Sequence, residues 1–144
     1  MKTRFNIMEL EPDAYKAMGA MEQYLAKSTL DIGLTEMVRL RASQINGCAY
    51  CIELHSSGGL KNGIDQKKLF AVGAWWESPL FDKKEKSLLA ATDEITHISD
   101  DGMTDETYNE LGKHFSANEI AQIVMLIGTI NMWNRMAISM HLTH

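Results

Sequence analysis

Residues 116–140 read SANEIAQIVMLIGTINMWNRMAISM, and this stretch decides the fold class. Ser116 and Glu119 stand in S-x-x-E spacing, the pair that satisfies free backbone N–H groups at a helix start, with Phe115 and Ile120 placed as a hydrophobic staple. The helix they open is predicted to run to about Met140. Along it, Ile120, Ile123, Val124, Ile127, Ile130, Met132 and Trp133 cover far more than one narrow stripe. A helix apolar nearly all round is buried on every side. One short chain does not easily wrap such a helix alone, so the pattern predicts a homo-oligomer built by helix packing. The central helix of a monomeric bundle is the alternative.

Outward from this helix, start and stop signals recur. Pro12 suits the first turn of a helix running to about Lys27. Thr35 reads as the N-cap of the next, and Gly47 as its end. Another helix starts near Cys48 and stops before Gly63. Asp65 caps the following one, with Ile64 and Leu69 as its staple. Asp82 and Glu85 open a helix to about Ser99; Gly102 marks a loop, and Thr104 opens a further helix. Nowhere does an alternating pattern outcompete the helical period for more than a few positions. The predicted fold class is all-α, as one domain over residues 1–144.

The 144 residues fit one domain on the usual scale of roughly 100–200 residues. With 45% hydrophobic and 23% charged residues, the chain has the composition of a folded globular protein rather than a disordered one. Its net charge of −5 offers no basic footprint, which argues against a nucleic-acid partner. The longest apolar stretch, Ile120 to Trp133, is interrupted by Gln122, Thr129 and Asn131 and falls short of the roughly 20 residues a bilayer needs. The opening MKTRFNIMELEPD has no apolar core of a secretory signal, so a cytoplasmic, reducing location is expected. There, two close cysteines point to redox or metal chemistry rather than a structural staple.

Those cysteines lie in Cys48-Ala-Tyr50-Cys51-Ile-Glu-Leu-His55. On a helix, positions three and four apart are neighbours, so Cys48, Cys51 and His55 share one face. An imidazole beside a thiol raises the thiolate fraction, and the thiolate is the nucleophile. Cys48, at the helix N-terminus, has the dipole in its favour. It is, however, seven residues from His55, about 10.5 Å of rise, too far for direct proton transfer. Cleaving a peroxide needs a proton delivered to the leaving oxygen as well as a thiolate. That requirement favours Cys51 as attacking thiol and Cys48 as resolving thiol.

Glu36 enters by hairpin arithmetic. If the helices on either side of Gly47 run antiparallel, Glu36 lies about 15 Å back from the turn and His55 about 10 Å, leaving roughly 5 Å between their levels. The order Cys51, His55, Glu36 suits a thiol–imidazole–carboxylate relay, with one water filling any gap. A first-turn carboxylate that complements the helix N-terminus explains Glu36 equally well.

Taken together, Glu36, Cys48, Cys51 and His55 stand in E-x11-C-x-x-C-x3-H spacing within R-A-S-Q-I-N-G-C-A-Y-C-I-E-L-H-S. This resembles the signature of the AhpD-like alkylhydroperoxidases, in the carboxymuconolactone decarboxylase superfamily, over roughly Pro12 to Ser99. The resemblance implies an all-helical bundle, trimers or hexamers built by helix packing, and hydroperoxide reduction through the C-x-x-C disulfide. It implies Cys51 as peroxidatic cysteine, Cys48 as its partner, His55 as base and Glu36 as relay carboxylate. The expected partners are a small hydroperoxide and a dithiol reductant, with no metal or organic cofactor. Tyr50 stands where the best-known members carry a second histidine. A phenol, with a pKa near 10, donates a hydrogen bond but is a poor base at neutral pH.

Other readings compete. C-x-x-C-x3-H supplies three zinc ligands where a structural site wants four, and Ile52 after Cys51 breaks the haem-attachment motif. Two inert buried cysteines, or a non-catalytic oligomeric module that senses redox state or binds a partner, remain alternatives. Trp75-Trp76 reads as a packing plug, Lys83-Lys84-Glu85-Lys86 as a solvated helix face, and His141 with His144 as a loose tail.

Overall fold

Asp31, and not Thr35, opens the helix that leads into the cysteine motif. The structure, a computed structural model, describes residues 2–142. The Asp31 carboxylate accepts from the N–H groups of Gly33 and Leu34, so the helix begins at Ile32, one turn earlier than Thr35 suggested. Thr35 lies inside that first turn, its hydroxyl donating back to the Ile32 carbonyl. Asp and Thr both compete for N-caps, and the residue whose backbone is extended takes the position.

The elements are α1 (Ile7–Leu10), α2 (Pro12–Leu25), α3 (Ile32–Asn46), α4 (Ala49–Lys61), α5 (Gln66–Ala71) followed by a 3-10 turn (Val72–Ala74), α6 (Lys83–Thr96), α7 (Asp105–Leu111) and α8 (Ala117–Met140). No strand occurs among the described residues, so the fold is all-α. The expected caps at Asp65, Thr104 and Ser116 are in place, and Asp82 with Glu85 forms a complete capping box, as does Ser116 with Glu119. Two ends fall short of expectation: α2 stops at Leu25 and α6 at Thr96. The short α1, capped by the Asn6 side chain, had no periodic signal to announce it.

α3 is the hub, packed against α4, α6 and α8. Its inner face divides between two apolar clusters. Val38 joins Leu88 of α6, Leu111 of α7 and Ile123, Leu126 and Ile127 of α8. Met37 and Leu40 join Leu69, Val72, Phe81 and Leu89. Near the C-terminal end of α3 the contact with α8 is polar instead. Asn46 Nδ2 donates to the Oδ1 atoms of both Asn131 and Asn134 at 2.9 Å, and Asn134 Nδ2 donates to Ser43 Oγ at 3.0 Å. This network lies just before the α3–α4 turn and ties the two long helices together there.

α8 has one face in the core, but Ala121, Val124, Gly128 and Ile138 are exposed on the other. The charge run at Lys83–Lys86 is not simply solvated. Glu85 is buried, closing the capping box and pairing with Lys68 at 2.5 Å, and the Lys84 ammonium lies over the Phe115 ring. Trp75 is anchored by its indole N–H to Asp93, while Trp76 is exposed. Nor does the chain fray at His141. That residue caps α8 in the left-handed conformation, and the Arg4 N–H ties the N-terminal segment to the Met140 carbonyl. His144 lies outside the described residues.

Candidate active site

Gly47 makes the site local. Its φ of +70° favours a residue without a side chain, so α3 stops there and the chain reverses. The Cys48 N–H returns to the Ser43 carbonyl, and Cys48 becomes the N-cap of α4, its sulfur accepting from the Cys51 N–H. Both cysteines are buried, at 2% and 4% exposure, against Ala137 of α8 and the ring of Tyr50. They are joined as a disulfide.

One turn beyond Cys51, His55 Nδ1 lies 2.9 Å from Glu36 Oε2. The contact is direct, closer than helix rise alone suggested, because the two long side chains close the gap between levels. Gly58 lets them meet: a Cβ there would sit 2.7 Å from the same Glu36 oxygen, so α4 approaches the carboxylate backbone-first. With Glu36 ionised, Nδ1–H donates to it, and Nε2 is the ring nitrogen left as acceptor. Glu36 is 7% exposed and the His55 side chain 12%, so water screens this pair little.

Cys51 and His55 open onto a cavity of about 590 Å³. Its walls are largely apolar: Leu54 and Tyr50 from α4, Ile130, Trp133 and Met140 from α8, Tyr15 from α2, and Phe5, Ile7 and Met8 from the N-terminal segment. The Arg4–Met140 backbone bond and a contact from the Ile7 N–H to Met140 Sδ at 3.5 Å hold that segment against α8. Glu22 and Arg39 lie among the lining beside His55. Arg39 pairs with Glu22 at 2.6 Å and lies 3.6 Å from the second Glu36 oxygen, while Trp133 Nε1 donates to the other Glu22 oxygen.

The structure therefore gathers Cys48, Cys51, His55 and Glu36 at one place. Sequence reasoning passed over Glu22, Arg39, Trp133 and the N-terminal segment. Arg39 was within reach, three residues after Glu36 on the same helix; Glu22 and Trp133 arrive from other helices and carry no local signal. Among the described residues, no group of three or more His, Cys, Asp or Glu side chains could hold a metal ion. No helix among them is long and apolar enough to cross a membrane.

The model of the carboxymuconolactone decarboxylase family matches residues 12–94. An uncharacterised Bacillus subtilis protein, YdfG, is 33% identical over 140 residues, covering 97% of this chain and 95% of that one. The crystal structure of ATU0492 from Agrobacterium tumefaciens, a protein of unknown function provisionally assigned to AhpD-type antioxidant defence, superposes with a TM-score of 0.96 at 37% identity, covering 99% and 98% of the two chains. An alkylhydroperoxidase AhpD core from Ralstonia eutropha JMP134, an uncharacterised peroxidase-related protein, gives 0.84 at 18% identity, covering 94% and 73%, which speaks for the fold alone. The family match spans more than half the sequence and takes in the whole helical hairpin with its cysteine pair, so the chain belongs to the carboxymuconolactone decarboxylase family, on its AhpD-like side.

Proposed function

We propose that the chain is a thiol-dependent peroxidase that reduces organic hydroperoxides through the Cys48–Cys51 dithiol/disulfide cycle. The observation that carries this reading is the buried His55–Glu36 hydrogen bond at 2.9 Å, one helical turn from Cys51, with His55 and Cys51 lining the same apolar cavity. In the reduced enzyme, His55 takes the Cys51 proton. The thiolate attacks the terminal peroxide oxygen and the O–O bond breaks. The oxygen it gains makes a sulfenic acid, and the imidazolium returns its proton to the leaving alkoxide, which departs as an alcohol. Cys48 then attacks the sulfenic sulfur, releasing water and forming the disulfide. An external dithiol reduces that bond by exchange, and is itself oxidised. Tyr50, in place of a second histidine, leaves His55 as the histidine of this relay.

The same reading places the protein in the cytoplasm as a single-domain homo-oligomer, trimeric or hexameric. The exposed stripe of Ala121, Val124 and Gly128 on α8 supports close helix packing between copies. The test is consumption of cumene hydroperoxide with dithiothreitol by the wild type, Cys51→Ser and His55→Ala. Turnover in the wild type, abolished by Cys51→Ser and strongly reduced by His55→Ala, is expected. Equal rates in all three overturn the mechanism. Oxidation that stops after one equivalent per subunit replaces it with a redox-sensing module.

A further inference from the structure

We infer that Arg39 is a positioning residue for the relay: its guanidinium aims the Glu36 carboxylate at His55, and Glu22 holds Arg39 in place. The inference rests on reading Cys51 and His55 as thiol and base.

Glu36 uses its two oxygens differently. Oε2 faces His55 Nδ1 at 2.9 Å, and Oε1 faces Arg39 Nη1 at 3.6 Å. A carboxylate this deeply buried is costly unless a cation and hydrogen bonds compensate it. Arg39, one turn along α3 with a side chain 14% exposed, is placed to do so. Left to itself, a guanidinium on a flexible stem would have other places to go. It is fixed by Glu22 of α2, whose Oε2 lies 2.6 Å from Nη2 and whose Oε1 accepts from the Trp133 indole of α8 at 2.9 Å. The Tyr15 ring packs edge-to-face with that indole. A brace drawn from three helices thus converges on one carboxylate oxygen, and the carboxylate's other oxygen fixes which ring nitrogen of His55 carries the proton.

Arg39 acts through Glu36, and its removal has consequences that plain destabilisation would not have. Without the cation, the buried carboxylate loses its compensating charge and turns away from its present position. His55 then loses the acceptor that keeps its proton on Nδ1, and Nε2 is no longer reserved as the base. In metal sites, groups that fix a ligating histidine's tautomer from behind are worth roughly 10–100-fold in affinity or activity, and the same order is expected for this relay.

The experiment compares Arg39→Met, Arg39→Lys and Glu22→Gln. It uses kcat and KM for cumene hydroperoxide with dithiothreitol, the His55 tautomer from ring 15N shifts, and the iodoacetamide alkylation rate of reduced Cys51 in a Cys48→Ser background. Arg39→Met is expected to lower kcat about 10–100-fold with little change in KM, to lose the Nδ1–H tautomer and to slow alkylation, while Arg39→Lys restores most of each. An unchanged tautomer and alkylation rate overturn the inference. So does an effect confined to KM, which would make Arg39 a substrate-binding group. If Arg39→Met does not fold, Glu22→Gln carries the test: slowed alkylation supports the brace, and wild-type alkylation with an unchanged tautomer refutes it. Should the wild type turn over no peroxide while tautomer and alkylation still respond to Arg39→Met, the peroxidase reading fails and the positioning role stands.

Discussion

Asn134→Ala tests whether the asparagine lattice, rather than apolar packing alone, sets the register of α3 against α8. Asn134 is fully buried, donates to Ser43 Oγ at 3.0 Å and accepts from Asn46 Nδ2 at 2.9 Å. Each of these bonds is worth about 1 kcal/mol net. Asn46 keeps its bond to Asn131, so its loss is partial. The Ser43 hydroxyl, fully buried, is left with a desolvated face, which adds about 1 kcal/mol more. The expected destabilisation is therefore about 3 kcal/mol. With an unfolding entropy of roughly 2.1 cal/mol/K per residue, 144 residues give about 0.3 kcal/mol/K, and Tm falls by about 10 °C. Thermal circular dichroism at fixed protomer concentration measures this, with Ser139→Ala on the exposed side of α8 as a control expected to stay within about 2 °C. A fall below about 3 °C for Asn134→Ala would refute the reasoning, because water would then be replacing the amide without loss.

Two further outcomes follow from the site and its flanks. Deleting residues 2–10 removes Phe5, Ile7 and Met8 from the cavity wall, so KM for cumene hydroperoxide should rise about tenfold while KM for hydrogen peroxide stays put; equal shifts for both would show that the segment does not enclose the substrate. At the start of α8, hydrogen bonds from the Ser116 backbone, and then its hydroxyl, hold the Glu119 carboxyl below the ordinary carboxylate value. A carboxyl lowered in the folded state stabilises above the unfolded pKa and loses that contribution as pH falls through the folded one. The Tm gap between wild type and Glu119→Ala should accordingly be open at pH 7 and narrow progressively below about pH 4.5, and a pH-independent gap would contradict this.

How much of this was legible in sequence depends on the distance between the partners. Helix starts marked by a side chain three residues from its target, at Asp82, Thr104 and Ser116, could be read directly. So could the Gly47 reversal, and with it the shared face of Cys48, Cys51 and His55. The cap at Asp31 was missed for Thr35, four residues on, because the two residue types suit a cap about equally and only the burial of Thr35 and Glu36 inside α3 tells them apart. Glu85 looked solvated among lysines because its partner, Lys68, comes from another helix. Arg39 stood three residues after Glu36 on the same helix, but the partners that hold it were invisible for the same reason. Glu22 and Trp133 are 111 residues apart and meet only when α2 and α8 pack. The N-terminal wall escaped notice because its fastening is a backbone bond, which no side-chain pattern records.

These distances separate the chemistry from its selectivity. The groups that would move electrons and protons all sit on one hairpin, α3–turn–α4, and their spacing is set by helix geometry and the αL glycine between them. The groups that shape the cavity come from α2, α4, α8 and the N-terminal segment. Changes at Phe5, Met8 or Met140 can therefore reshape the cavity without touching the Glu36–His55 bond, whereas any change in the α3–α4 crossing disturbs that bond directly. A scaffold so divided can keep one thiol chemistry while exchanging substrates. On the proposed reading, the hairpin would set the reaction, and the wall residues scattered along the chain would select its substrate.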